Sequence, residues 1–262
     1  MPPLPPGWIR PPTEDELPYD DGEPMESELH YEQMHLLKEL IERHLGDRED
    51  VCVGSNMAVY YTDLQAVKND LKAPDVFVAL GVERRTRKSY VAWREGKTPD
   101  VVIELLSEST EANDRGEKKR VYERLWRLPE YYLYTPDGET LEGFFFDPGR
   151  RELAPVPVDA RGRIQSVALG CTFGVWEGAH RGRQARWLRI WDAQGTLVPS
   201  SEERADDERR RADDERRRAD DERRRADDER RRADDERRRA DDLAGRIAAY
   251  EARFGKLPDA GG

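Results

Sequence analysis

The sequence predicts a mixed α/β domain, a β-sheet flanked by helices, followed by a long charged helix at its C-terminal end. Three observations lead there. A helical period over residues 26–45 gives way to a run of short apolar segments, a second helical stretch and then further strands. That order fits a mixed sheet and not a regular βαβ alternation. The segment Asp100-Val101-Val102-Ile103-Glu104-Leu105-Leu106 is apolar almost throughout, as expected of a central strand covered on both faces. Finally, residues 205–239 are five copies of Ala-Asp-Asp-Glu-Arg-Arg-Arg.

Each element follows from local pattern. Residues 1–19 are dense in proline, with Pro2-Pro3, Pro5-Pro6 and Pro11-Pro12, which predicts an extended arm. From Glu26 to Leu45, Leu29, Met34, Leu36, Leu37, Leu40, Ile41 and Leu45 recur at three- and four-residue spacings, with Ser27 as N-cap and Gly46 as stop. Val51–Val53 and Met57–Tyr61 are expected strands on either side of a Gly54-Ser55-Asn56 turn. Further strands are expected at Asp75–Leu80, at the weakly alternating Tyr90–Trp93, and at Asp100–Leu106. A second helix is expected next, capped by Ser109 or Asn113, with a face of Lys118, Val121, Tyr122, Leu125 and Trp126. Pro129 ends it. Tyr131–Tyr134, Leu141–Phe146, Ala154–Val158, Val167–Leu169, Phe173–Trp176 and Trp187–Trp191 are then expected strands, an antiparallel extension of the sheet, with a turn at Thr135-Pro136-Asp137-Gly138. This places the folded domain at residues 20–198, a charged helix at 199–256 and a flexible tail at 257–262.

Each copy of the repeat carries three acids and three arginines, so the net charge of −11 lies wholly outside it. An acidic domain does not attract nucleic acid at long range, because phosphate contacts come from Lys and Arg. This weighs against a generic DNA-binding module, and less against an enzyme in which part of the acidity is a metal site. In the repeat, Asp206 and Arg210, Asp207 and Arg211, and Glu208 and Arg211 stand acid before base at helical spacing, the favourable order. One alanine per heptad is a poor coiled-coil seam, so a solvated single helix is favoured over a coiled coil. Leu243, Ile247, Tyr250 and Phe254 add a short apolar stripe able to pair with another chain. Cys52 and Cys171, both in apolar settings and without metal-ligand spacing, suggest buried thiols and a reducing cytoplasm. No run approaches the ~20 apolar residues of a membrane span.

The chemistry-bearing residues are Asp75, at the head of an apolar strand, Glu104, within one, and Lys118, near the start of a helix. A charge inside a buried strand costs several kcal/mol unless it is paired or metal-bound, so Glu104 most needs an explanation. Two strand carboxylates suit a hard divalent cation. A lysine beside them would polarise water or stabilise charge on a phosphate. His30, His35, His44 and His180 show no paired metal spacing. Gly-x-Ser-x-Gly and phosphate-loop signatures are both missing.

In sequence order, Pro74-Asp75-Val76-Phe77-Val78, Pro99 to Ser107, Asp114-Arg115-Gly116-Glu117-Lys118, Tyr122 and Pro129-Glu130-Tyr131-Tyr132 resemble the Uma family of restriction-endonuclease-like nucleases in the PD-(D/E)XK superfamily. The resemblance spans roughly residues 20–198 and extends to the charged helical tail. It implies a restriction-endonuclease-like mixed sheet with Asp75 and Glu104 as ligands of Mg²⁺ or Mn²⁺. Leu106 stands where the superfamily pattern has its lysine, which points to Lys118 on the following helix as the catalytic cation. Asp114 on the same helix and Glu26 or His30 on the first helix are second-tier candidates. The expected function is metal-dependent endonucleolytic hydrolysis, with DNA as partner. A homodimer through the domain or the C-terminal helix is possible on this pattern. The alternative is a nuclease fold of little or no activity, used for binding or assembly.

Overall fold

The structure, a computed structural model, describes residues 12–17, 27–62, 71–136 and 140–255. The rest of the proline-rich segment, Glu26, the turn residues Asp137 and Gly138, and the expected tail lie outside the described residues. The chain divides into two compact units, Met1–Glu202 and Glu203–Gly262.

Helix α1 spans Glu28–Leu45. Ser27 caps it as its position implied, the Ser27 Oγ accepting the His30 N–H at 3.1 Å. Gly46, at φ 62°, closes it by donating its N–H to the Glu42 and Arg43 carbonyls. Six strands then form the main sheet, in the order β1-β3-β5-β6-β7-β8. These are β1 (Val51–Ser55), β3 (Val76–Leu80), β5 (Val101–Leu105), β6 (Glu130–Tyr134), β7 (Leu141–Asp147) and β8 (Glu152–Val156). Neighbours run antiparallel except β5 and β6, which are parallel. The connection between those two is a helix, α3, over residues 111–126. β5 is thus central and buried along its whole length.

The sheet separates two apolar layers, and side-chain alternation assigns each residue to one of them. Val76, Val78, Val101, Ile103 and Leu105 pack with Leu37, Leu40 and Ile41 of α1. Phe77, Ala79, Val102 and Leu106 pack with Tyr122 and Trp126 of α3. Glu104 alternates with Ile103 and Leu105, and so faces α3. The α3 layer also holds Val59 of β2 (Val59–Tyr60) and Tyr90 of β4 (Tyr90–Val91), a short parallel pair.

Several boundaries differ from the sequence reading for physical reasons. Gly54 and Ser55 belong to β1 rather than to a turn. Gly54 pairs with Phe77 across the ladder, and a Cβ there would stand 2.2 Å from the Phe77 ring. Ala92 and Trp93 leave β4 for a helical turn, α2 (Ala92–Glu95). Neither Ser109 nor Asn113 caps α3. Ser107 turns the chain into it, its Oγ accepting the Thr110 N–H at 3.2 Å. Leu125 of the expected apolar face is 59% exposed. Arg127, at φ 49°, terminates α3 just ahead of Pro129. β8 ends at Val156, and its Pro155 is tolerated because β8 is an edge strand.

The later strands do not all extend the main sheet. β9 (Arg163–Ser166), β10 (Cys171–His180) and β11 (Arg183–Trp191) form a separate three-stranded sheet in the order β11-β10-β9. Its Phe173, Trp187, Leu188 and Ile190 complete the apolar layer under α1. The expected strand at Val167–Leu169 is a turn instead, with Val167 72% exposed. Glu130 explains that turn. Its buried carboxylate accepts the Ala168 N–H at 2.7 Å, the Tyr132 hydroxyl at 2.9 Å and the Ser166 hydroxyl at 2.5 Å, joining the two sheets. Part of the proline-rich segment also docks, with Leu17 buried beside Ala58, Tyr60 and Val91.

Helix α4 (Ser201–Phe254) contains the repeat and has no buried residue. Where four-residue partners were expected for Asp206 and Asp207, three-residue ones form: Asp206 meets Arg209 at 3.2 Å, and Asp207 meets Arg210, while Arg204 and Glu208 pair over four residues at 3.6 Å. Among the described residues, no helix is long and apolar enough to cross a membrane.

Removing the Glu130 carboxylate strands three donors in a dry place. Glu130→Ala is expected to lower unfolding free energy by about 2–4 kcal/mol, measured by urea denaturation. Glu130→Gln loses less, because the Tyr132 and Ser166 hydroxyls can turn to accept from the amide.

Candidate active site

Asp75 and Glu104 are 29 positions apart, and the β3–β5 register brings them together. Val78 pairs with Val101, Phe77 with Val102 and Val76 with Ile103, so the next step along the ladder sets Asp75 opposite Glu104. The contact is direct, with the Asp75 N–H donating to Glu104 Oε2 at 3.3 Å. Asp75 sits at the strand end, and both of its carboxylate oxygens are engaged. Oδ2 accepts the Leu105 N–H at 2.7 Å, and His30 Nε2 lies 2.9 Å from Oδ1. An ionised carboxylate only accepts, so the imidazole is the donor there. His30, a second-tier candidate, thus orients Asp75 from α1. Glu26 lies outside the described residues.

Helix α3 supplies the opposite wall. Lys118 Nζ lies 3.1 Å from Glu104 Oε2 and 2.9 Å from Asp114 Oδ1. The Tyr122 hydroxyl donates to Glu104 Oε1 at 2.7 Å, and the Tyr131 hydroxyl donates to the Asp114 carbonyl at 3.0 Å. Asp114–Lys118 and Tyr122–Trp126 are π-helical turns. That wider winding recurs at functional sites in helices. It suits a chain that aims Asp114, Lys118 and Tyr122, four residues apart, at one place. All three primary residues therefore converge, and so do Asp114 and His30.

The electrostatics are unbalanced. Glu104 is fully buried. Burial raises its carboxyl to about 8, opposed by the Lys118 charge and reinforced by Asp114 and Asp75. Burial also raises Asp114 against the pull of Lys118. For Lys118, burial alone would weaken the ammonium, but Glu104 and Asp114 outweigh it and hold the group protonated, above the usual lysine range. Burial, then the Glu104 charge, pushes Tyr122 well up, so it remains a donor. Three carboxylates surround a single lysine.

A shortage of positive charge is the setting in which a cation binds. Among the described residues, no group of three or more His, Cys, Asp or Glu side chains is placed to hold a metal. A two-carboxylate set of hard oxygens remains in Asp75 and Glu104. Mg²⁺ is commonly held by one or two carboxylates, with water and substrate phosphate oxygens filling its other positions. The donor chemistry fits that ion. Leu106, where the resemblance would have put a lysine, is buried in an apolar layer with Phe77, Val102, Tyr131 and Leu133.

Two residues in this network, Tyr122 and Tyr131, were counted in the sequence reading as motif residues on a helix face and a strand, with no role given to them at the site. The recoverable signal was the four-residue spacing from Asp114 through Lys118 to Tyr122, a polar line on a helix packed over a buried acid.

The family model Uma2, described as "Putative restriction endonuclease", matches residues 8–177. The chain belongs to that family. A search of solved structures found a crystal structure described as "a putative nuclease belonging to DUF820 from Anabaena variabilis ATCC 29413". It is 13% identical, with 56% of this chain and 76% of that chain covered at a TM-score of 0.43. No curated protein matches.

Because the Glu104 carboxyl rises from 4.5 to about 8 on folding, the native state retains a proton that the unfolded chain has released between those values. Its contribution to stability is complete below pH 4.5 and is lost as pH rises toward 8. Melting temperature of the metal-free protein should fall steadily across that window. Glu104→Gln, which cannot titrate, should flatten the slope.

Proposed function

We propose that this chain is a divalent-metal-dependent endonuclease hydrolysing phosphodiester bonds in DNA, with residues 20–198 as its catalytic domain. The observation that carries this reading is the meeting of Lys118 Nζ and the Asp75 N–H on one oxygen of buried Glu104. Family membership supports the hydrolase class and the nucleic-acid substrate.

In the reaction, a water oxygen bonds to phosphorus, the bond from phosphorus to the leaving sugar oxygen breaks, and a proton passes from the attacking water to solvent while the leaving oxygen takes one up. Bound at Asp75 and Glu104, Mg²⁺ or Mn²⁺ would supply Lewis acidity to the phosphate and a lowered pKa to the attacking water. Lys118 stays an ammonium between Glu104 and Asp114. Its role is therefore to stabilise charge on the phosphoryl oxygens and to orient water, not to act as a base. His30 fixes the Asp75 carboxylate and Tyr122 fixes that of Glu104, so neither acid reorganises when charge develops. Asp114 holds Lys118 in reach.

A second reading, a nuclease fold used for binding or assembly with little activity, is favoured by one observation. Both oxygens of Glu104 already accept hydrogen bonds from Asp75, Lys118 and Tyr122.

Supercoiled plasmid incubated with the protein and Mg²⁺ or Mn²⁺ separates the two. The first reading expects nicking or linearisation, abolished by EDTA. Asp75→Ala, Glu104→Ala and Lys118→Ala should each slow it roughly 10²–10³-fold, as loss of a charge-stabilising group does. Tyr122→Phe should slow it less. Equal cleavage by all variants would identify a contaminating nuclease. Inactive wild type that still binds the plasmid would favour the second reading.

A further inference from the structure

The apolar stripe at the end of α4 lies in the same heptad frame as the charged repeat. Alanine recurs every seven residues at Ala205, Ala212, Ala219, Ala226, Ala233 and Ala240. Seven and fourteen residues beyond Ala240 come Ile247 and Phe254. If alanine marks position a, position d is glutamate throughout the repeat and becomes Leu243 and Tyr250 after it. Residues 240–254 therefore read Ala, Leu, Ile, Tyr, Phe at alternating spacings of three and four, an unbroken a/d seam over two heptads. On α4 these side chains lie bare: Leu243 is 57% exposed, Ile247 42%, Tyr250 51% and Phe254 65%. The Tyr250 and Phe254 rings stand 5.0 Å apart on one face.

We propose that this seam pairs with the same segment of a second copy, forming a short parallel two-stranded coiled coil confined to residues 240–254. Charge selects both the occupant and the direction. The positions flanking the seam are Arg246 and Arg253 at g, and Ala244 and Glu251 at e. In a parallel pair, each g residue faces the e residue five positions on in the partner helix, so Arg246 meets Glu251 of the second copy twice over. An antiparallel pair would instead bring g to g and e to e, setting Arg246 against Arg253 and leaving Glu251 opposite Ala244, with repulsion and no ion pair across the seam. The repeat itself resists zipping. Its e and g positions are all arginine, as in Arg209 and Arg211, and its d positions are all glutamate. Intrahelical pairs such as Arg209 with Asp206 keep it helical without a partner. The repeat is thus a solvated rod, and association is limited to its end. This inference concerns the helix alone and does not depend on the hydrolytic reading.

The test is sedimentation equilibrium of the full chain over a range of concentrations. Wild type should show a reversible monomer–dimer equilibrium. Ile247→Asp should raise the dissociation constant at least about tenfold, and so should Arg246→Glu. The double variant Arg246→Glu with Glu251→Arg should recover most of that loss, an outcome that a merely misfolded helix end cannot produce. Ala226→Gln, in the same frame but within the repeat, should change nothing. Ala240→Cys, placed at an a position, should oxidise to a linked dimer. A monomer at every concentration would overturn the proposal, as would a dimer indifferent to both Ile247→Asp and the charge reversals. A dimer that weakens with Ala226→Gln would overturn the confinement to residues 240–254. One that Ala240→Cys fails to link would overturn the parallel direction.

Discussion

A single carboxylate at the centre of the sheet constrains everything around it. Glu104 occupies a strand whose other residues are all apolar and buried. A carboxyl group in such a place is tolerated only with partners that replace its lost water. Three arrive, from three directions: the Asp75 N–H from the neighbouring strand, the Lys118 ammonium, and the Tyr122 hydroxyl from the helix above. Each requires a different large feature of the fold. The first needs the antiparallel β3–β5 register, and the other two need the crossover helix that makes β5 and β6 parallel. Shifting either by one residue would turn Glu104 to the other face or leave it unpaired.

The same constraint explains why the helix winds as it does. An ordinary α-helix turns its face by 100° per residue, so residues four apart drift around it. Asp114, Lys118 and Tyr122 span two such intervals and still meet one acid and its surroundings. The π-helical turns at Asp114–Lys118 and Tyr122–Trp126 widen the winding and reduce that drift. Local backbone geometry here follows from where the ligands of one buried group must stand.

Much of the molecule was legible in sequence, because its signals were local. Periodicity gave α1 with its Ser27 cap, and an unbroken apolar run gave the central strand around Glu104. What could not be read was set by contacts remote in sequence. Gly54 has turn composition but lies within a strand because Phe77 presses on it from across the ladder. Val167–Leu169 has strand composition but bends because Glu130, almost forty residues earlier, claims the Ala168 N–H. At the site, the identities of Asp75, Glu104 and Lys118 came from residue type and order. The tyrosines were hidden because an aromatic on a packed helix or strand has sufficient reason to be there without its hydroxyl.

Charge distribution sets how such a site would meet a polyanion. The excess of eleven negative charges lies outside the neutral repeat, so the long-range field repels nucleic acid and offers no steering. At ordinary salt that field is screened within about 10 Å, and short-range contacts then decide binding. Within that distance the site is itself short of positive charge, with Asp75, Glu104 and Asp114 against Lys118. A polyanion cannot be drawn to such a place by the side chains alone. A cation shared between the carboxylates and the phosphate would lift both penalties together, desolvation of the acids and repulsion of the substrate. On this logic, the buried acidity that makes the apo site costly would also make substrate and metal binding depend on each other.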